Sequence, residues 1–222
     1  MPKRTTFLRI DAHATFPLWM KVVALLFLCV FIYSSWNNYG LTNFLWFSCA
    51  GLIGAVLALC LESRMLASMM LLATFMADVV GWGGDFLFKL LMDWHPFGAT
   101  RYMFDQRIST FSRVISLYHL IVPPLLAWMV HKLRYDTRAL PAQTLCSTII
   151  LLLSYALTDP ARNVNCVYGL GDQPQTYLPG WLWLVVVVVY VPVAFYLPVH
   201  LLLRRLGWHL KQNKEAELCK AE

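Results

Sequence analysis

Charge is the scarcest property of this sequence. Asp, Glu, Lys and Arg make up 14% of its 222 residues, where a soluble domain carries about 25%. That shortage excludes a chain that faces water over most of its surface. Metal-type and disulfide-type cysteine spacing is missing as well. The six Cys, at positions 29, 49, 60, 146, 166 and 219, include no C-x-x-C pair and no short Cys/His spacing. A zinc site or a disulfide framework is therefore unsupported, and Cys29, Cys60 and Cys146 read as small hydrophobes inside apolar runs. No linker, low-complexity tract or long repeat divides the chain, which leaves one domain. The basic start is followed by an apolar run of about 19 residues with no small-residue cleavage site, so it reads as a retained helix and not a cleaved leader. No cofactor motif and no metal-ligand spacing is present, and none is expected.

What the sequence does contain is apolar length. Hydrophobic residues make up 59% of it, and six runs can cross a hydrocarbon core about 30 Å thick at 1.5 Å per residue. They cover residues 17–35, 41–61, 65–88, 114–131, 141–159 and 181–203. Each must be helical, because an unpaired backbone group in lipid costs several kcal/mol. The expected fold is all-α, a polytopic membrane bundle of about six transmembrane helices. Gly81, Gly83 and Gly84 interrupt the third run, which predicts an end near Gly84 and a separate interfacial turn over Phe86–Met92. With the first residue in the cytoplasm, thirteen of the 18 Lys and Arg fall on that side and five on the other. The bias orients both ends inward and explains the net charge of +6 without nucleic acid. The expected location is a bacterial inner membrane. The tail from Arg204 to Lys220 reads as a short amphipathic extension suited to anionic headgroups.

Polar side chains at membrane depth carry the functional question, since they are costly there and face a partner or a cavity. Ser48 and Cys49 fall about 10 Å below the outer end of the second run, and His119 is at similar depth in the fourth. Asp78 lies about six residues before Gly84 in the third, while Tyr155 and Asp159 close the fifth. Four runs thus place polar groups in one layer under the outer surface. Asp78, Trp82 and Asp85 are spaced to share a helix face, as are Ser112, Ser116 and His119. Pro123 and Pro124 free carbonyls one turn further on. Gly51, Ala55 and Ala58 form a stripe for close helix packing. Each feature has a structural reading beside the functional one. Ser48 and Cys49 fit helix packing, His119 fits a satisfied core histidine, and Asp78 is accounted for by a pair with Arg113.

Three stretches bear a likeness to known proteins. They are YGLTNFLWFSCAGL opening the second run, His119-x-x-x-x-Pro124 in the fourth, and SYALTDPARNVNCVYG ending the fifth. Together they resemble a group of six-span proteins that includes the androgen-induced-gene family of lipid hydrolases, related membrane acyltransferases and bacterial membrane proteins of unknown role. In those hydrolases a nucleophile on the second span works with a His on the fourth. His119 carries over directly. The family's nucleophilic Thr falls at or near Trp46, which cannot do that chemistry, and the Cys of the acyltransferase-like branch falls nearest Ser48 or Cys49.

The resemblance implies nucleophilic acyl transfer on a lipid ester near the outer leaflet. His119 would take the proton of Ser48 or Cys49, with Asp78 in the same catalytic layer. Asn163 or Asn165 would donate to the oxyanion. Arg113 would hold a headgroup phosphate or carboxylate, and Tyr155 lies at the rim. Membrane lipids are the expected partners, nucleic acid is not, and the oligomeric state stays open. Two other readings stand beside the enzyme. One is a non-catalytic membrane scaffold or lipid-binding subunit, which the missing Thr favours. The other is a proton-coupled transporter relaying through Asp78 and His119, which the apolar inner half disfavours.

Overall fold

A computed structural model describes residues 16–170 and 174–207. Among the described residues the secondary structure is all helical, joined by loops, with no strand, as lipid demands of backbone without water to bond. We number six helices: α1 (Leu18–Tyr39), α2 (Phe47–Leu61), α3 (Arg64–Met92), α4 (Thr110–Leu133), α5 (Ala139–Leu157) and α6 (Gly180–Gly207). All except α2 are long and apolar enough to cross a membrane, which makes this a multi-pass membrane protein. The basic N-terminal segment and most of the tail read from the sequence lie outside the described residues.

Two elements differ from the sequence reading. The second run is helical only from Phe47. Its first part, Leu41–Leu45, is a 3-10 turn that breaks at Trp46. The remaining 15 residues span roughly 22 Å, short of a full crossing. Nor does α3 end near Gly84. Gly81 and Gly83 sit in a π-helical stretch, Phe75–Gly83, whose wider i to i+5 turns absorb them, and regular helix runs on from Gly84 to Met92.

The centre of the bundle is α3, which packs on α2, α4 and α5. Its most apolar window is 61% buried, where that of α1 is only 17% buried, so α1 presents most of its surface to lipid. The α2–α3 hairpin turns sharply through Glu62 in the left-handed region (φ 50°), and the Ser63 hydroxyl caps α3 by accepting from Leu66 N at 3.3 Å. The two helices approach closely because α2 has no side chain at two contact points. A Cβ on Gly51 would lie 2.6 Å from Thr74 Cγ2, and one on Gly54 would lie 2.1 Å from Met70 Sδ. Small residues here do what they do in lipid generally, replacing a hydrophobic driving force with close packing.

Both ends of the bundle are tied by long-range polar bonds. At the hairpin end, Lys21 Nζ meets Glu62 Oε1 at 2.7 Å. On the same side, Arg64 donates to Tyr135 O at 2.6 Å and Ser68 Oγ accepts from Asp136 N at 2.9 Å. At the other end Asn165, itself left-handed at φ 56°, accepts from Phe47 N at 3.0 Å. It also donates to Leu45 O at 2.7 Å and Ser154 Oγ at 3.2 Å. This one amide caps the broken start of α2, satisfying an orphan N–H that a helix terminus always leaves, and clamps it to α5.

Candidate functional site

The polar layer read from the sequence assembles around one pair. Asp78 sits in the π-helical part of α3, and His119 in the turn of α4 that restarts after Ser116–Leu117. His119 Nδ1 lies 2.8 Å from Asp78 Oδ1, with both side chains buried. The second Asp78 oxygen, Oδ2, is buried and has no partner among the described residues. His119 makes no second hydrogen bond there, so Nε2 is left over once Asp78 has fixed the ring. A carboxylate on one nitrogen sets the tautomer and orientation of an imidazole and leaves the other nitrogen for proton transfer. The expected Asp78–Arg113 pair does not form. Arg113 instead reaches Met103 O at 3.5 Å and Thr110 Oγ1 at 3.2 Å, because it lies in the first turns of α4 beside the loop and not at Asp78's depth.

Aromatic rings hold the histidine in place. Trp82 stacks on it at 5.0 Å and 11°, and Tyr118 at 4.1 Å and 24°. Phe86 then stacks on Trp82 at 4.9 Å, and Trp82 Nε1 donates to Tyr102 OH at 2.8 Å. Tyr102 lies outside the spans, and burial pushes its phenol up to about 12. It therefore stays protonated and able to donate in turn, with Ser116 alongside it.

The two candidate nucleophiles sit one step away from this pair. Cys49 is buried with Sγ 3.9 Å from Tyr118 OH and 3.8 Å from Asn43 Nδ2, and Ser48 lies against the same tyrosine. Neither hydrogen-bonds His119. Tyr118 touches both sides, stacking on the histidine with its ring and meeting the thiol with its hydroxyl. The sequence reading passed over Tyr118 as a site residue. Its adjacency to His119 was the available signal, and a tyrosine at that depth needs a partner as much as a histidine does.

The remaining site residues are engaged elsewhere. Asn163 Nδ2 donates to Gly169 O at 2.8 Å and its Oδ1 accepts from Tyr168 N at 2.9 Å, which shapes the loop after α5. The amide hydrogens of Asn165 are committed to Leu45 and Ser154, as described. Tyr155 stacks on Tyr168 at 5.0 Å, and its hydroxyl lies where a Cβ on Gly180 would come within 2.8 Å; it supports the start of α6. Asp85, on the same face of α3 as Asp78 and Trp82, is fully buried for a different reason. It accepts from Phe97 N at 2.8 Å, Thr100 N at 2.8 Å and Thr100 Oγ1 at 2.6 Å, and lies 2.9 Å from His95 Nδ1. That set anchors the loop between α3 and α4. Among the described residues no three His, Cys, Asp or Glu side chains converge as metal ligands.

No protein-family model, curated protein or solved structure matches this chain.

Proposed function

We propose that Asp78 and His119 form the general-base element of a membrane-embedded lipid hydrolase or acyltransferase, acting on an ester just beneath one membrane face. The observation that carries this reading is the buried 2.8 Å Asp78–His119 bond that leaves Nε2 unengaged, with the carboxylate orienting the ring for proton abstraction. In the proposed reaction Nε2 takes the proton of Ser48 or Cys49. The oxygen or sulfur attacks the ester carbonyl, the ester C–O bond breaks and the alcohol leaves with the proton from Nε2. Water or a lipid hydroxyl then gives its proton to Nε2 and takes the acyl group, and that proton returns to the freed nucleophile. Tyr118 must swing aside for this, since its ring contacts His119 and its hydroxyl contacts the thiol. Arg113, whose buried Nε has no partner among the described residues, would hold a headgroup. The committed amides of Asn163 and Asn165 give no support to the oxyanion role. The likeness to six-span lipid hydrolases agrees with the reading, as does an orientation with both ends in the cytoplasm and the site toward the opposite face.

The test is turnover of phospholipid and acylglycerol esters by purified protein in nanodiscs. His119→Asn can keep a donor toward Asp78 while removing Nε2, and it should lower the rate by about 10²-fold or more. A fluorophosphonate labels an active Ser48, and a haloacetamide an active Cys49. One observation favours a structural polar plug instead: the histidine ring is packed against two aromatic faces. Absence of wild-type turnover on every ester, or an unchanged rate in His119→Asn, decides for the plug.

A further inference from the structure

The end of the bundle opposite the Asp78–His119 pair carries unbalanced positive charge. Among the described residues its acids are Glu62 and Asp136, and each is already paired, with Lys21 at 2.7 Å and with Arg138 at 2.8 Å. Lys132, Arg134, Arg204 and Arg205 gather at the same end with no ion pair among those residues. Arg204 stands out because of what faces it. Its charge acts on Tyr135, just past α4, and on His200, one turn back along α6. Those two are fixed to each other, the Tyr135 hydroxyl 2.7 Å from His200 Nδ1 and the rings 5.5 Å apart. Tyr135 is held from a third side as well, since its carbonyl accepts from Arg64 at 2.6 Å. A phenol and an imidazole carry no negative charge at neutral pH. Arg204 therefore stands beside an anchored surface that cannot neutralise it.

The neighbouring residues say where the missing anion comes from. Leu197, Leu201 and Arg204 are spaced i, i+4, i+7, which puts them on one face of α6, and both leucines are exposed on a helix long and apolar enough to cross the membrane. That face meets lipid tails. Arg204 follows in the last turn of the helix, at the level where tails give way to phosphates. Arg134 supplies a second cation beside Tyr135. Its backbone sits at φ 68° and ψ 154°, a strained setting kept because Tyr135 and Asp136 are bound to α3 through Arg64 and Ser68, and its side chain is exposed. Basic pockets between transmembrane helices hold anionic headgroups. We infer that the ends of α4 and α6 form a site for one anionic phospholipid, its phosphate taken by Arg204 and Arg134 and its acyl chains lying along Leu201 and Leu197. The site is about 20 Å along α4 from His119 and stands whether or not the Asp78–His119 pair is catalytic.

Native mass spectrometry of the full chain, released from nanodiscs of equal phosphatidylcholine and phosphatidylglycerol with matched acyl chains, tests this. The wild-type chain should retain phosphatidylglycerol in preference. Arg204→Gln should lower that preference about fivefold, the worth of one interfacial cation. Arg134→Gln should lower it too, and Arg204→Lys, which keeps the charge, should keep most of it. The arginines are exposed, so the variants should fold. Arg205→Gln removes the same charge about a quarter-turn round α6 from Arg204 and should change retention much less. An unchanged preference in Arg204→Gln overturns the site, and so do equal losses in Arg204→Gln and Arg205→Gln, which would mean a diffuse basic belt. No preference in the wild-type chain overturns it without recourse to any variant. Glycerol 3-phosphate bound from solution as tightly as the lipid would assign the cations to a soluble anion and overturn it too.

Discussion

His119 Nδ1 and Asp78 Oδ1 meet at 2.8 Å across 41 positions of sequence, joining α4 to the π-helical part of α3. Two charged or polar partners in a low-dielectric interior are held by each other, and removing one strands the other. His119→Leu should therefore destabilise the protein by about 3–5 kcal/mol by leaving Asp78 alone, while the double change Asp78→Leu/His119→Leu should come close to neutral. Unfolding in mixed micelles, read by tryptophan fluorescence, measures the cycle. Additive single effects would show that the bond contributes nothing.

Asn165 makes its contribution through backbone geometry as well as bonds. Asn165→Ala loses the cap on Phe47 and the bonds to Leu45 and Ser154, and it forces alanine into φ 56°. The expected loss is about 2–4 kcal/mol. Asn165→Gly keeps the conformation and loses only the bonds, so it should cost less than alanine. Hydrogen exchange at Phe47–Gly51 should accelerate in both variants. The reverse order of stability would mean that the left-handed conformation is unimportant.

The α2–α3 contact predicts a clash that a second substitution repairs. Gly51→Ala places a methyl 2.6 Å from Thr74 Cγ2, and the Thr74 hydroxyl is tied to Met70 O at 2.9 Å, so that side chain cannot turn away freely. A loss of about 1–3 kcal/mol is expected. Thr74→Ser keeps the hydroxyl bond and removes the offending methyl, and the double variant should regain most of the loss. Chemical denaturation of the four proteins gives the coupling.

A pH effect belongs to the loop before α5. The Arg138 guanidinium, and then its backbone N–H, hold the Asp136 carboxyl below the usual carboxylate range. A depressed folded value stabilises the native state above the unfolded pKa of about 4, and the contribution disappears as pH falls through the lower folded value. Arg138 is half exposed, so Asp136→Asn should cost less than about 1 kcal/mol at neutral pH. The wild-type advantage over Asp136→Asn should begin to fall below about pH 4 and keep shrinking as the pH is lowered further in a thermal-melt series. An advantage that stays level over that range would show that it does not come from the charge of the carboxylate.

The residue pattern alone determined that this chain is helical and crosses the membrane several times, because apolar length and scarce charge leave lipid no other solution. It also counted Asp78, His119, Ser48 and Cys49 to similar depths, but the 3-10 turn over Leu41–Leu45 and the break at Trp46 put Ser48 and Cys49 in the first turn of α2 and not two turns along it. It did not determine which of them touch. The Asp78–His119 bond depends on the rotation of α3 against α4, and the π-helical stretch Phe75–Gly83 shifts that rotation away from a 3.6-residue count. Asp85 looked equivalent to Asp78 by spacing, yet a loop folds back onto it and satisfies it. Tyr118, between the histidine and the thiol, and Gln143, in α5, were ordinary helix residues until packing sealed them in. Burial turns an amide or a phenol from solvated surface into a group that must find a partner. That condition is set by the neighbours a fold assembles, and no single helix's sequence contains them.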